Sequence, residues 1–112
     1  MKVVNRIKKS NDFSLVINQG SYHRLPSYKV FIYKTEHGFT RVGISVSKKL
    51  GGAVQRNRAK RQVRAMCDSL IDYNKASYDI VIILKNKFLE LSFDDNKSQL
   101  SDFIKLQVGQ KQ

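Results

Sequence analysis

Between positions 56 and 64 the sequence reads Arg-Asn-Arg-Ala-Lys-Arg-Gln-Val-Arg, and the chemistry open to that run is the binding of phosphate. Arg56, Arg58, Lys60, Arg61 and Arg64 supply charge, with Asn57 as a neutral hydrogen-bonding group between two cations. Guanidinium groups are planar forks that match two phosphate oxygens at once. Each phosphate neutralised releases counterions, so such a cluster holds a polyanion tightly at low salt. A second group, Phe31 and Tyr33 with Lys29, combines flat aromatic surface with charge, which is what unpaired bases stack on. The same two aromatics are equally well explained as packing beneath a helix. Other chemistries are poorly supplied. His23 and His37 stand singly in loop-like contexts and read as surface residues, whereas a metal centre needs clustered ligands. Gly51-Gly52 lacks a lysine at the spacing of a phosphate loop. Asp94-Asp95 fits the start of a helix, and no histidine is placed to activate Cys67. No residue is therefore assigned a catalytic or metal-binding role.

These groups need elements to carry them. Arg41 to Ser47 alternates, with Val42, Ile44 and Val46 on one side, and predicts a strand. Gly51-Gly52 allows a sharp turn. Beyond it Ala59, Val63, Met66, Leu70 and Ile71 recur at helical spacing and form one apolar stripe. At about 100° per residue, Asn57, Lys60, Arg61 and Arg64 fall beside that stripe and Arg58 further round. A helix-turn-helix reading is disfavoured, because no partner helix immediately precedes this one.

Charge is distributed unevenly. The chain has 112 residues and a formal net charge of +12, enough for one domain (1–112) with a single core. Residues 1–67 carry fifteen cations against Asp12 and Glu36, whereas residues 68–112 carry six cations and seven acids. An excess confined to one half points to an acidic partner. One cysteine cannot form an internal disulfide, which fits a reducing, cytoplasmic setting, and Cys67 reads as a small core residue. The longest apolar run, Ile80 to Leu84, is of strand length, and no secretory signal is read before the fold.

In order along the chain, residues 1–9 read as a basic extended N-terminus. A helix capped by Ser10 or Asn11 runs to about Gln19, with Phe13, Val16 and Ile17 on one face. Ser21 to Leu25 predicts a short strand ending at Pro26. Tyr28 to Lys34 predicts a strand with Tyr28, Val30 and Ile32 on one side and Lys29, Phe31 and Tyr33 on the other. Glu36-His37-Gly38 predicts a hairpin turn into Arg41. Tyr78 to Leu84, apolar on both faces, predicts a central strand, ended by Lys85-Asn86-Lys87. Ser92 caps a last helix with Phe93, Leu100, Phe103 and Ile104 inward, and 108–112 is expected to fray. The outcome is an α+β domain with helices packed on a mixed sheet.

The run Arg41-Val42-Gly43-Ile44-Ser45-Val46-Ser47-Lys48-Lys49-Leu50-Gly51, with Ala53-Val54-Gln55-Arg56-Asn57-Arg58-Ala59-Lys60-Arg61 after it, closely resembles the signature of the bacterial ribonuclease P protein subunit. So does Arg6-Ile7-Lys8-Lys9-Ser10-Asn11-Asp12-Phe13, and the similarity spans nearly the whole chain. The resemblance implies an αβββαβα sandwich on a four-stranded mixed sheet with a left-handed βαβ crossover, as in the second domain of ribosomal protein S5. Ordinary handedness rules do not predict that crossover.

The resemblance also implies a ribonucleoprotein, with one protein and one RNA subunit expected, in which the RNA is the catalyst. That RNA holds Mg²⁺ and hydrolyses one phosphodiester bond of precursor tRNA to leave the mature 5′ end. The protein assists and broadens the range of substrates. By the same resemblance Arg56, Asn57, Arg58, Lys60, Arg61 and Arg64 face the catalytic RNA. Lys9, Phe13, Ile17, Phe31 and Tyr33 wall a cleft for the 5′ leader, bordered by Ser45, Ser47, Lys48 and Lys49. Ile17 stands where members of that family often carry an aromatic, and Gly52 where they carry a polar or basic residue. A ribosomal-protein-like RNA binder shares the charge and fold class but needs no such cleft. A protein-only nuclease needs an acidic or histidine-based site.

Overall fold

The computed structural model describes residues 1–109. The elements follow as α1 (Ser10–Gln19), β1 (Ser21–Arg24), β2 (Tyr28–Lys34), β3 (Arg41–Ser45), α2 (Ala53–Leu70), β4 (Tyr78–Leu84), α3 (Lys87–Glu90) and α4 (Phe93–Gln107). Four strands form one mixed sheet in the order β1-β2-β4-β3. The β3–β4 pair is parallel, with α2 carrying the connection between them, and the other two pairs are antiparallel. This is the expected αβββαβα order, with the short α3 added before the last helix.

β4 takes the central place its composition calls for: Ile80, Val81 and Ile82 are each at most 2% exposed. A strand buried on both faces needs apolar residues at successive positions. Placing β4 between β2 and β3 overturns the hairpin expected at Glu36-His37-Gly38. Gly38 does turn the chain, at φ 85, but β2 and β3 are not neighbours. The 35–40 segment instead binds the connection leading into β4. Thr35 N donates to Ser77 O (2.9 Å), Thr40 N to Tyr73 O (2.8 Å) and Thr40 Oγ1 to Ala76 O (2.9 Å). The tight hairpin lies one connection earlier, where Leu25 and Tyr28 exchange backbone hydrogen bonds around Pro26-Ser27.

Alternation then sorts the side chains. Tyr28, Val30, Ile32, Val42, Ile80, Ile82 and Leu84 face α2 and α4, packing on Val63, Met66, Cys67, Leu100, Phe103 and Ile104. On the opposite face α1 and the N-terminal segment form a smaller cluster in which Ile7, Val16 and Val81 are buried with Phe13, Phe31, Tyr33 and Ile83 against them. A polar network closes the α4 side: Ser27 Oγ donates to Asn96 Oδ1 (2.6 Å), Asn96 Nδ2 to Phe88 O (2.9 Å) and Tyr28 OH to Asn96 O (3.1 Å).

Local differences have local causes. The basic N-terminus is not wholly extended: Val3–Asn5 makes a 3-10 turn. Ile7 N then donates to Val42 O (3.1 Å) on the outer edge of β3. Lys9, not Ser10 or Asn11, occupies the N-cap of α1, without a side-chain hydrogen bond. Ser92 does cap α4, accepting from Asp95 N at 3.1 Å. Phe93, expected inward, is 42% exposed because it opens the helix, while buried Phe88 on α3 covers the core beneath it. Strand β3 stops at Ser45, two residues early, because Ser47 caps a 3-10 turn. At the C-terminus the amides of Val108 and Gly109 both bond Ile104 O, and 110–112, expected to fray, lie outside the described residues.

Candidate RNA-binding surfaces

The cationic helix is launched by Gly51, whose φ of 133 favours glycine. Gln55 Oε1 accepts from Gly52 N at 2.9 Å and secures the first turn. Ala59, Val63, Met66 and Cys67 bury one face of α2. Arg56, Lys60 and Arg64, four residues apart, lie half-buried on its flank; Asn57, Arg58 and Arg61 are exposed. Asn57 and Arg61 are thus more exposed than Lys60 and Arg64, with which the spacing groups them. Among the described residues no ion pair involves any of these five cations. Their charge is therefore available to a partner.

Arg41, the other cation of the signature that lies on an element, behaves differently. Its Nε and Nη2 donate to the two oxygens of Asp79 at 2.9 and 2.6 Å, and Asp79 is 2% exposed. The hydrogen bond to Asp79 holds the guanidinium pKa above its ordinary value. The parallel β3–β4 register places these two residues opposite each other, which the sequence alone does not disclose.

On the face away from α2, strand register arranges the candidate cleft in three rows. Tyr33, Asp79 and Arg41 form the first, Tyr22, Phe31, Val81 and Gly43 the second, and Arg24, Lys29, Ile83 and Ser45 the third. Helix α1 crosses the first two. Asp12 Oδ2 lies 3.6 Å from Arg41 Nη1, and Phe13 sits so close over Gly43 that an added Cβ would meet the ring at 2.6 Å. The third row stays open: Arg24, Lys29 and Ser45 are exposed and Ile83 is half-buried. Beyond it a hollow of about 440 Å³ is lined by Lys29, Ser47, Lys49, Ile83, Lys85 and Lys87, among others.

Phe13, Phe31 and Tyr33 are thus brought together, half-buried, in one cluster with Ile7, Val16 and Val81. Ser47 accepts from Lys49 N (3.2 Å), and the 3-10 turn so made buries Leu50 while Lys48 and Lys49 stay exposed. Lys9, Ile17 and Lys48 are exposed but do not line the hollow. Tyr22, half exposed with its ring 5.0 Å from that of Phe31, was missed, as were Lys85 and Lys87. Strand pairing is the only clue to Tyr22, and Lys85-Asn86-Lys87 read merely as a strand end. His23, expected in a loop, lies in β1 with its ring edge-on to Phe103 at 5.1 Å. Burial pushes the Cys67 thiol up to about 12, a core thiol remote from reactive chemistry. Among the described residues no three His, Cys, Asp or Glu side chains gather where they could hold a metal. Nor is any helix long and apolar enough to cross a membrane.

A protein-family model described as Ribonuclease P matches residues 1–106. The chain belongs to the ribonuclease P protein family. A ribonuclease P protein is a subunit of an endoribonuclease ribonucleoprotein that processes tRNA. The chain is 41% identical over 105 residues to the ribonuclease P protein component of Mesoplasma florum, covering 93% of this chain and 96% of that protein. It is 37% identical to one from Bacillus cereus, covering 89% and 88%. Among solved structures, the Staphylococcus aureus RNase P protein superposes with a TM-score of 0.81 at 28% identity, over 96% of this chain and 98% of that one. The Thermotoga maritima RNase P protein superposes with a TM-score of 0.77 at 27% identity, over 90% and 96%.

Proposed function

We infer that this ribonuclease P protein grips the catalytic RNA with α2 and holds the 5′ leader of precursor tRNA in the cleft beneath α1. One observation carries the reading: the cations of α2, which form no ion pair among the described residues, and the aromatic cluster under α1 lie on opposite sides of one sheet. A protein so built can hold two RNA segments at once. Arg56, Arg58, Lys60, Arg61 and Arg64 engage phosphates, and Asn57 adds a neutral hydrogen bond between them. Phe13, Ile17, Phe31 and Tyr33 present apolar surface to leader bases, while Lys9, Lys48, Lys49, Ser45 and Ser47 meet the leader backbone.

Mg²⁺ is assigned mainly to the RNA subunit, as the resemblance to the family implies. Bound there, it supplies the activated water and stabilises the leaving oxygen. This chain's own contribution is positive charge and a groove, acting in the cytoplasm as one protein per RNA and widening the range of precursors accepted.

The test is competition in the reconstituted complex. Precursor tRNA should bind more tightly than mature tRNA, and Phe13→Ala should weaken precursor alone by about 1–3 kcal/mol. Equal binding of both substrates by the unaltered complex overturns the leader cleft.

A further inference from the structure

Asp12 is one of two acids in a half-chain of fifteen cations, and it faces the cleft region. An acid in the first turn of α1 is favoured by the helix dipole, yet the dipole does not require it to reach Arg41. It also repels any polyanion bound nearby. Its geometry gives it another role. Asp12 meets Arg41 at 3.6 Å, Arg41 is gripped at two points by buried Asp79, and the three join α1 to β3 and β4. One residue on, the Phe13 ring rests on Gly43 with no room for a methyl group between them. These two fastenings, one polar and one apolar, are adjacent on α1 and set how far the helix stands from the open third row.

We propose that Asp12 is a positioning residue for the leader cleft, drawing α1 onto the Arg41–Asp79 pair and thereby fixing where the Phe13 wall stands beside the open third row of the sheet. The proposal rests on the leader-cleft reading above. A strut of this kind opposes simple electrostatics in sign. Deleting an acid from a basic protein should strengthen RNA binding if charge alone matters, whereas loss of the strut should weaken it.

The experiment compares Asp12→Ala, Asp12→Glu and the control Glu36→Ala, each reconstituted with the catalytic RNA, for affinity toward precursor and mature tRNA. Asp12→Ala should lose about two- to fivefold in precursor affinity, the worth of a partly exposed ion pair, with mature tRNA unchanged. Asp12→Glu should restore most of the loss. Glu36→Ala removes the same charge from an exposed loop residue and should show no loss. Asp12 has a third of its side chain exposed, so a matched thermal midpoint should confirm that Asp12→Ala folds. Unchanged or tighter precursor binding by Asp12→Ala, in a complex whose unaltered form prefers precursor, overturns the strut. An unaltered complex without that preference instead removes the cleft reading on which the strut depends.

Discussion

Gly43→Ala tests whether the cleft wall is seated as described. An alanine Cβ at this position would lie 2.6 Å from Phe13 Cζ, 2.8 Å from Cε1 and 3.2 Å from Ile7 Cβ. Carbon atoms settle at about 3.5–4.0 Å, so the Phe13 ring must lift by roughly 1 Å. Overpacking of this kind costs about 1–3 kcal/mol, which in a domain of this size lowers Tm by about 4 °C or more for each kcal/mol. The displaced ring also narrows the groove, so precursor tRNA should bind more weakly in the holoenzyme while mature tRNA is unaffected. The decisive form is a double-mutant cycle on thermal stability. Phe13→Ala vacates the space that the methyl group of Gly43→Ala needs, so the double variant should be more stable than the sum of the two losses by about 1 kcal/mol. Losses that add to within about 0.5 kcal/mol would show that the ring does not rest on Gly43.

Three further outcomes follow from the same geometry. Replacing Arg58 and Arg61 by alanine should weaken assembly with the catalytic RNA and reduce the slope of log K against log salt by about one unit for each phosphate no longer neutralised; an unchanged slope removes these residues from the interface. Cys67 should resist alkylation in the folded protein at pH 8 and react once it is unfolded. Because burial raises this thiol from 9.0 to about 12, its contribution to stability is complete below pH 9. That contribution is lost at about 1.4 kcal/mol per pH unit as pH climbs toward 12, and Cys67→Ala should flatten this alkaline decline in denaturation midpoint. Asn96→Ala removes the acceptor of the Ser27 hydroxyl, which keeps only its bond from Gln99 Nε2, and the donor to the Phe88 carbonyl, and should cost about 1–3 kcal/mol by denaturant titration.

What could be read from the sequence was whatever a residue's immediate neighbours decide. Alternation in β2 placed Tyr28, Val30 and Ile32 opposite Phe31 and Tyr33, and the unbroken apolar run of β4 marked it as central. Ser92 and the acids behind it announced α4. What could not be read depended on partners distant in the chain. Gly38 turns the backbone as a hairpin would, yet whether β2 meets β3 or β4 is decided by which strand is most apolar. Arg41 looks like one more cation of the signature, but the parallel register sets it against Asp79 and turns it into a structural tie. Tyr22 acquires interest only when β1 brings it beside Phe31. His23 gave no sign that its ring would pack on a helix eighty residues away.

The division of labour between this polypeptide and a catalytic RNA is tested most directly by single-turnover cleavage of precursor tRNA at low Mg²⁺, with the RNA alone, the protein alone and the two together. The account predicts correct 5′ processing by the pair, weak processing by the RNA and none by the purified protein. Cleavage by the protein freed of all nucleic acid, at the rate of the complete complex, would contradict it.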